Sequence, residues 1–276
     1  MITAVRENRK AAAVDKTEAK YMERDFNLKK LNALYAAVIG QNYKIITLSE
    51  YVRDNINAKV VILRHDVDKM VKNALKVARI EQQLGIKSSF YFRCKNGKFD
   101  TEIISEIAGL GHETGYHYEV LSKTKGNLEK GIDLFKKELT ELRKTVDVTT
   151  ICMHGSPLSK YDSRQLWEIY DYRDFGITGE PYFDIDYNRG AYFTDTGRRW
   201  DGENVNIRDK VSSRGKYSYR TTEELIAAFE ENELPDTVMI NIHPQRWHET
   251  FFLWIKELIG QNVKNIIKRC IVRLRS

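Results

Sequence analysis

The sequence has little of what would staple, punctuate or export a fold. Its 3 cysteines, Cys94, Cys152 and Cys270, are odd in number and have no paired spacing. That excludes a disulfide framework and suits a reducing compartment, so a cytoplasmic location is expected. With 4 prolines and 16 glycines there is no low-complexity linker or collagen-like repeat. No run approaches the roughly 18 apolar residues of a membrane span, and the opening MITAVRENRKAAAVDKTEAKY lacks the apolar centre of a secretory leader. Acidic residues are scarce in the tail. From Lys256 to the end six basic residues stand against Glu257 alone, which supplies +5 of the formal net charge of +6. The main body is therefore nearly neutral, and nucleic acid is not an expected partner.

What is present is an ordinary folding composition, 42% hydrophobic and 30% charged, which sets aside disorder and coiled coil. Length alone would allow two domains of about 150 residues, but barrels of alternating strands and helices reach about 250 residues as one. The expected organisation is a polar N-terminal extension over 1–25, one α/β domain over 26–258, and a basic amphipathic helix over 259–276. In that last segment Ile259, Val263, Ile266, Ile267, Cys270, Ile271 and Leu274 share one face, a pattern that packs on the body or makes peripheral contact with an anionic membrane.

Inside the main domain short β-branched or aromatic runs alternate with helical periodicity. Strands are expected at Val60–Leu63, Ser88–Arg93, up to about His117, at Val148–Met153 and at Thr237–Ile242. Helices are expected over 27–39, 71–84, 101–110, 127–144 and 223–231, the last opened by a capping box of Thr221 and Glu224. Repeated βα units imply a parallel sheet. Between about 157 and 220 the pattern weakens, and long loops with one irregular strand near Phe175–Thr178 are expected.

Of six histidines, four lie at or just past predicted strand C-termini: His65, His117, His154 and His243. In a βα barrel these ends meet on one rim, where sites are built. Asp66 and Asp68 lie two apart, so in strand conformation both reach one face, and two carboxylates there require a nearby cation. Imidazole with carboxylate is the donor set of a divalent-metal site. His65, on the opposite parity, is expected to face away.

The stretches LRHDVD (63–68), LGIKSSFYF (84–92), GHETGYH (111–117), MHGSP (153–157) and NIHP (241–244) follow one another in an order and spacing that carry a resemblance. From about 59 to 250 the chain resembles the polysaccharide deacetylases of the NodB-homology type, carbohydrate esterase family 4, in a divergent branch associated with surface-polysaccharide gene clusters. The resemblance implies a distorted (β/α) TIM-like barrel that binds a divalent metal, usually zinc, and removes N-acetyl groups from a carbohydrate substrate. It implies Asp66 as base, Asp68 and His117 as metal ligands and His243 as the acid that protonates the leaving amine. His154 stands where the family has an arginine supporting the base. The family's two aspartates are adjacent, whereas here Val67 separates them. Its second metal histidine, four residues past His117, is Leu121 here. Either Glu119 or His154 supplies the third ligand, with strand parity favouring Glu119, or the metal is lost. Arg64, Tyr118, Arg246 and Trp247 are the expected substrate contacts, and His112 is expected at the opposite end of the barrel. The expected function is metal-dependent deacetylation of an N-acetylated sugar or polysaccharide precursor. The alternatives are hydrolysis of a cyclic amide on the same scaffold and a catalytically silent carbohydrate-binding relative.

Overall fold

All strand pairs are parallel, as alternating β and α signals require. The computed structural model describes residues 24–54, 56, 58–156, 159–201 and 217–275, with the side chains of 267–275 left aside. The chain runs α1 (Leu28–Gly40), β1 (Lys44–Ile46), α2 (Leu48–Arg53), β2 (Val60–Val67), α3 (Val71–Gln83), β3 (Ser89–Phe92), α4 (Thr101–Gly109) and β4 (Glu113–Tyr118). It continues through α5 (Val120–Lys123), α6 (Leu128–Arg143), β5 (Ile151–Met153), α7 (Pro181–Asp184), β6 (Ala191–Thr194), α8 (Thr222–Glu230), β7 (Thr237–Ile242) and α9 (Phe251–Arg275).

The sheet order is β5-β4-β3-β2-β7-β6, with β1 beside the first half of β2. Curled on itself and covered outside by helices, it is a distorted (β/α) barrel of the expected kind. All eight residues of β2 are buried, as befits a central strand covered on both faces. Alternation along it divides two apolar layers. Val61, Leu63 and Val67 join the layer under the helices, while Val60 and Ile62 join Tyr91, Cys152 and Met239 in the barrel interior. Arg64 and Asp66 share the interior parity, and His65 shares the exterior one.

Most elements fall where periodicity puts them, and Thr221 and Glu224 do form the capping box. The irregular strand expected near Phe175–Thr178 does so only in part: Phe175 ends a short 3₁₀ helix, Tyr172–Phe175, while Thr178 and Gly179 run parallel beside β5, the Thr178 N–H donating to the Thr149 carbonyl at 2.7 Å, and a longer strand lies later, at Ala191–Thr194. Four residues are too few for a periodic signal; β6 exists because Ala191–Thr194 pairs with Val238–Asn241 of β7. The helix expected from 259 begins at Phe251. Most of the N-terminal extension, Pro157 of the MHGSP stretch, residues 202–216 and Ser276 lie outside the described residues, as do the side chains of Lys268, Arg269, Arg273 and Arg275.

Candidate active site

The site gathers where inward-facing residues run out at the C-terminal rim. Asp66 is the last inward residue of β2, and Asp68 follows in a tight turn closed by its own N–H donating to the Asp66 carbonyl at 3.0 Å. His117 is the last inward residue of β4. His154 comes one residue after β5, and His243 one after β7.

Asp68, His117 and His154 each offer a ligand atom within 4.8 Å of the others. His154 Nδ1 lies 3.0 Å from Asp68 Oδ1 and 3.2 Å from His117 Nε2, and His117 Nε2 is 3.6 Å from the same Oδ1. The two rings meet at hydrogen-bonding distance, whereas Asp68 Oδ1 is buried without a hydrogen-bond partner. The Nδ1–H of His117 donates to the Cys152 carbonyl at 2.9 Å, which turns Nε2 toward the carboxylates as a lone-pair donor. Burial opposes charge on Asp68, but the imidazoles of His154, His117 and His243 hold its carboxyl well below the usual range. Burial likewise opposes charge on His117, and Asp66 and Asp68 override it to raise its pKa. An orphaned buried carboxylate oxygen facing two imidazole nitrogens fits a divalent cation, and the mixed N/O set suits zinc-like ions.

A second possible trio, Asp66, His117 and Cys152, lies deeper. There Arg64 already supplies the positive charge, with Nε 3.1 Å from Asp66 Oδ1 and Nη2 donating to Oδ2 at 3.1 Å. A further cation beside that guanidinium would be repelled, so the Asp68 trio is the better cradle. Asn241 Nδ2 also donates to Asp66 Oδ2, at 2.9 Å. Burial would neutralise Asp66, but Arg64, His117 and His243 keep its pKa lowered, so it stays a carboxylate at neutral pH.

On the other flank His243 turns Nε2 toward the site, 3.9 Å from Asp68 Oδ2. Its Nδ1–H donates to Asp195 Oδ1 at 2.6 Å and its backbone N–H to Oδ2 at 2.9 Å. Asp195, fully buried, also accepts from Arg246 and from Trp247 Nε1. Burial alone would raise its pKa, but Arg246 and His243 bring it down to about 2.

Several sequence expectations are corrected by these positions. Glu119 does not join the trio, because the chain turns into α5 at Val120 and strand parity ends at Tyr118. Its carboxylate instead takes two bonds from Arg93 Nη2, both 2.8 Å, and one from Ser156 Oγ at 3.1 Å. His154 stands in the trio, and Arg64 from β2 itself is the side chain paired with Asp66. Arg64, expected at the substrate, is fully buried inside the barrel. Tyr118 is equally buried, its hydroxyl donating to Glu180 at 3.1 Å and accepting from Trp167 Nε1 at 2.8 Å. Arg246 and Trp247 are buried on Asp195, so none of the four is open to a sugar. Leu121 lies in the apolar layer under the helices. His65 and His112 sit behind the sheet, as their parity and position require.

Sequence reading missed Asp195 and Asn241. The strand-end rule that selected the histidines would have found Asp195, had β6 been visible; Asn241 shares His243's inward parity two residues earlier.

No protein-family model matches the chain, and no curated protein matches it in sequence. Among solved structures it is similar to a carbohydrate esterase family 4 pseudoenzyme from Bacillus anthracis, at 13% identity and TM-score 0.44, over 77% of this chain and 62% of that one. It is similar to a carbohydrate esterase family 4 esterase of Streptococcus mutans at 16% identity and TM-score 0.46, over 80% of this chain and 88% of that one. It is similar to a peptidoglycan deacetylase of Bacillus subtilis at 12% identity and TM-score 0.39, over 77% of this chain and 97% of that one. The chain thus spans less than two thirds of the first of these proteins.

Proposed function

We propose that the protein is a metal-dependent deacetylase of an N-acetylated sugar or polysaccharide precursor, acting in the cytoplasm. The observation that carries this is the Asp68–His117–His154 trio flanked by two proton carriers of opposite kind: Asp66 Oδ2, 3.9 Å from His117 Nε2, and His243 Nε2, 3.9 Å from Asp68 Oδ2.

A divalent ion held by Asp68, His117 and His154 would supply Lewis acidity toward water and the amide carbonyl. Asp66, kept ionised by Arg64 and oriented by Asn241, is the base that accepts the proton of the attacking water. His243 donates a proton to the departing nitrogen. Asp195 accepts its Nδ1–H, fixing the ring with Nε2 toward the substrate and stabilising the charged imidazole. The base lies beside His117 and the acid beside Asp68, so each serves one half of the reaction.

The test is elemental mass spectrometry of the full chain after zinc loading, with acetate release measured on N-acetyl sugars. About one zinc per chain, lost in His117→Ala, is expected for a site of this donor set. A well-folded protein that stays metal-free would sink the reading and leave silent carbohydrate binding in front.

For α9 we infer peripheral contact with an anionic membrane surface. Phe252, Ile259, Val263 and Ile266 are each more than half exposed, and the same segment carries the basic excess. Changing Ile259, Val263 and Ile266 together to serine should abolish sedimentation with phosphatidylglycerol vesicles; unchanged binding would refute the contact.

A further inference from the structure

A cavity of about 760 Å³ opens between the C-terminal ends of β2 and β3, with Val67 and Phe92 on its floor. Its wall carries Lys72, Arg93, Lys95 and Lys98 against Asp100 and Glu102. Arg93 joins it to the site, because the carboxylate it holds, Glu119, has Oε2 3.9 Å from His154 Nε2.

The lysines are placed by backbone geometry. Lys95 and Lys98 exchange both N–H···O bonds at 2.9 Å around Asn96 and Gly97, whose φ angles are 50° and 75°. This is a primed hairpin turn, for which Asn-Gly is the favoured pair. Residues facing each other across such a turn project to one side, so two ammonium groups are set together, an arrangement that costs stability unless an anion answers it. Among the described residues Lys72, Lys95 and Lys98 form no ion pair. Both α3 and α4 begin on the cavity wall. Neither N-cap residue, Met70 or Asp100, bonds the first turn with its side chain, which leaves amide donors and the positive helix ends on that side.

We propose that this cavity is an anion subsite for the phosphate or diphosphate group of a phosphorylated N-acyl sugar whose acyl group lies at the Asp68–His117–His154 centre. The placement of the acyl group rests on the deacetylase reading; the anion subsite does not. Several convergent cations suit a multi-oxygen anion better than a single carboxylate. The diphosphate can come from a nucleotide sugar or from a lipid-linked sugar, and the Lys69–Glu257 contact at 3.7 Å sets α9 close to the cavity lip.

The experiment is calorimetric titration of the metal-stripped full chain with uridine diphosphate N-acetylglucosamine, and of the Lys95→Ala/Lys98→Ala double variant, whose two positions are exposed. Loss of two charge-assisted contacts should weaken binding by about tenfold or more, with neutral N-acetylglucosamine unaffected. Equal affinity in both proteins, no binding at millimolar ligand, or tighter binding of glucuronate would overturn the proposal. A polyprenyl diphosphate N-acetylglucosamine in micelles forms the second arm: whichever diphosphate binds tighter names the source, and either order upholds the subsite. Anion binding without acetate release from any sugar would refute the deacetylase reading and spare the subsite, and the converse result would do the reverse.

Discussion

His65 and Asp66 are neighbours on β2, yet their side chains leave the sheet on opposite faces and enter two clusters of the same chemical make-up. Behind the sheet Glu81 accepts from Tyr35, from His65 Nε2 at 2.7 Å and from Ser88 Oγ at 2.6 Å. His112 completes that cluster by donating from Nε2 to the Ala78 carbonyl at 2.9 Å and accepting the Ser88 N–H at Nδ1. Only His65 Nδ1 is left without a partner. In front, Asp68, His117 and His154 turn their polar atoms toward one point, and the carboxylate oxygen closest to both rings has no donor. The same residue types make a hydrogen-bonded network where helix α3 covers them and a cluster facing an unanswered carboxylate oxygen where the strands end. The two clusters differ in what is left unanswered: a ring nitrogen behind the sheet, and in front a carboxylate oxygen, the group whose charge a cation answers.

Substitutions on each side should separate the two clusters. The largest effect is expected from Asp66→Asn, which should lower turnover by about 10³-fold or more while zinc content holds, since the amide cannot take the proton; near-normal kcat would remove Asp66 from the role of base. Glu81→Gln strips the charge from the rear network and should cost about 3 kcal/mol in urea unfolding with zinc content unchanged. If it instead lost metal and kept its stability, the contrast between the clusters would fail. His154→Ala should weaken zinc binding by about 10²-fold and Glu119→Gln by about tenfold at most, because Glu119 acts only through its neighbours. Competition with a chromogenic chelator measures both, and the reverse order would restore Glu119 as the third ligand.

The smallest effect is in pH dependence. Burial keeps His112 in its neutral form with a lowered pKa, and His65 helps hold Glu81 below its ordinary 4.5 despite burial. For both, the unfolded chain binds protons more readily. Rear-cluster stability should therefore be complete above about pH 6.5 and fall as the pH drops, first through His112 and then through Glu81. The raised pKa of His117 has the opposite sign in metal-free protein: its contribution is present below its ordinary 6.5 and is lost as pH rises through the folded value. Urea titrations of wild type and Glu81→Gln from pH 4 to about pH 8 check this, and parallel curves for the two would contradict it.

Much of the barrel was legible because apolar periodicity and caps are local. The α8 capping box and the run TVMINI for β7 emerge with their observed bounds, and the βα alternation implied the parallel sheet. Strand-end histidines marked the rim for the same reason, since parity and end position are properties of the chain. The parts that failed depend on partners far away in sequence. β6 is held by β7 some 47 residues later, measured by the pairing of Ala191 with Val238, and Asp195 became visible only once that strand existed.

From its sequence alone this protein determined its class, its strand parities and the set of imidazoles and carboxylates at one rim, because each follows from spacing within a single element. Tertiary structure decided which of them meet. It turned the chain at Val120 so that Glu119 went to Arg93 and His154 came to Asp68, and it buried Arg64 beside Asp66. It gave His243 its carboxylate from another strand. A few ångströms separate a ligand from a bystander, and such distances are set by packing between elements that no local pattern encodes.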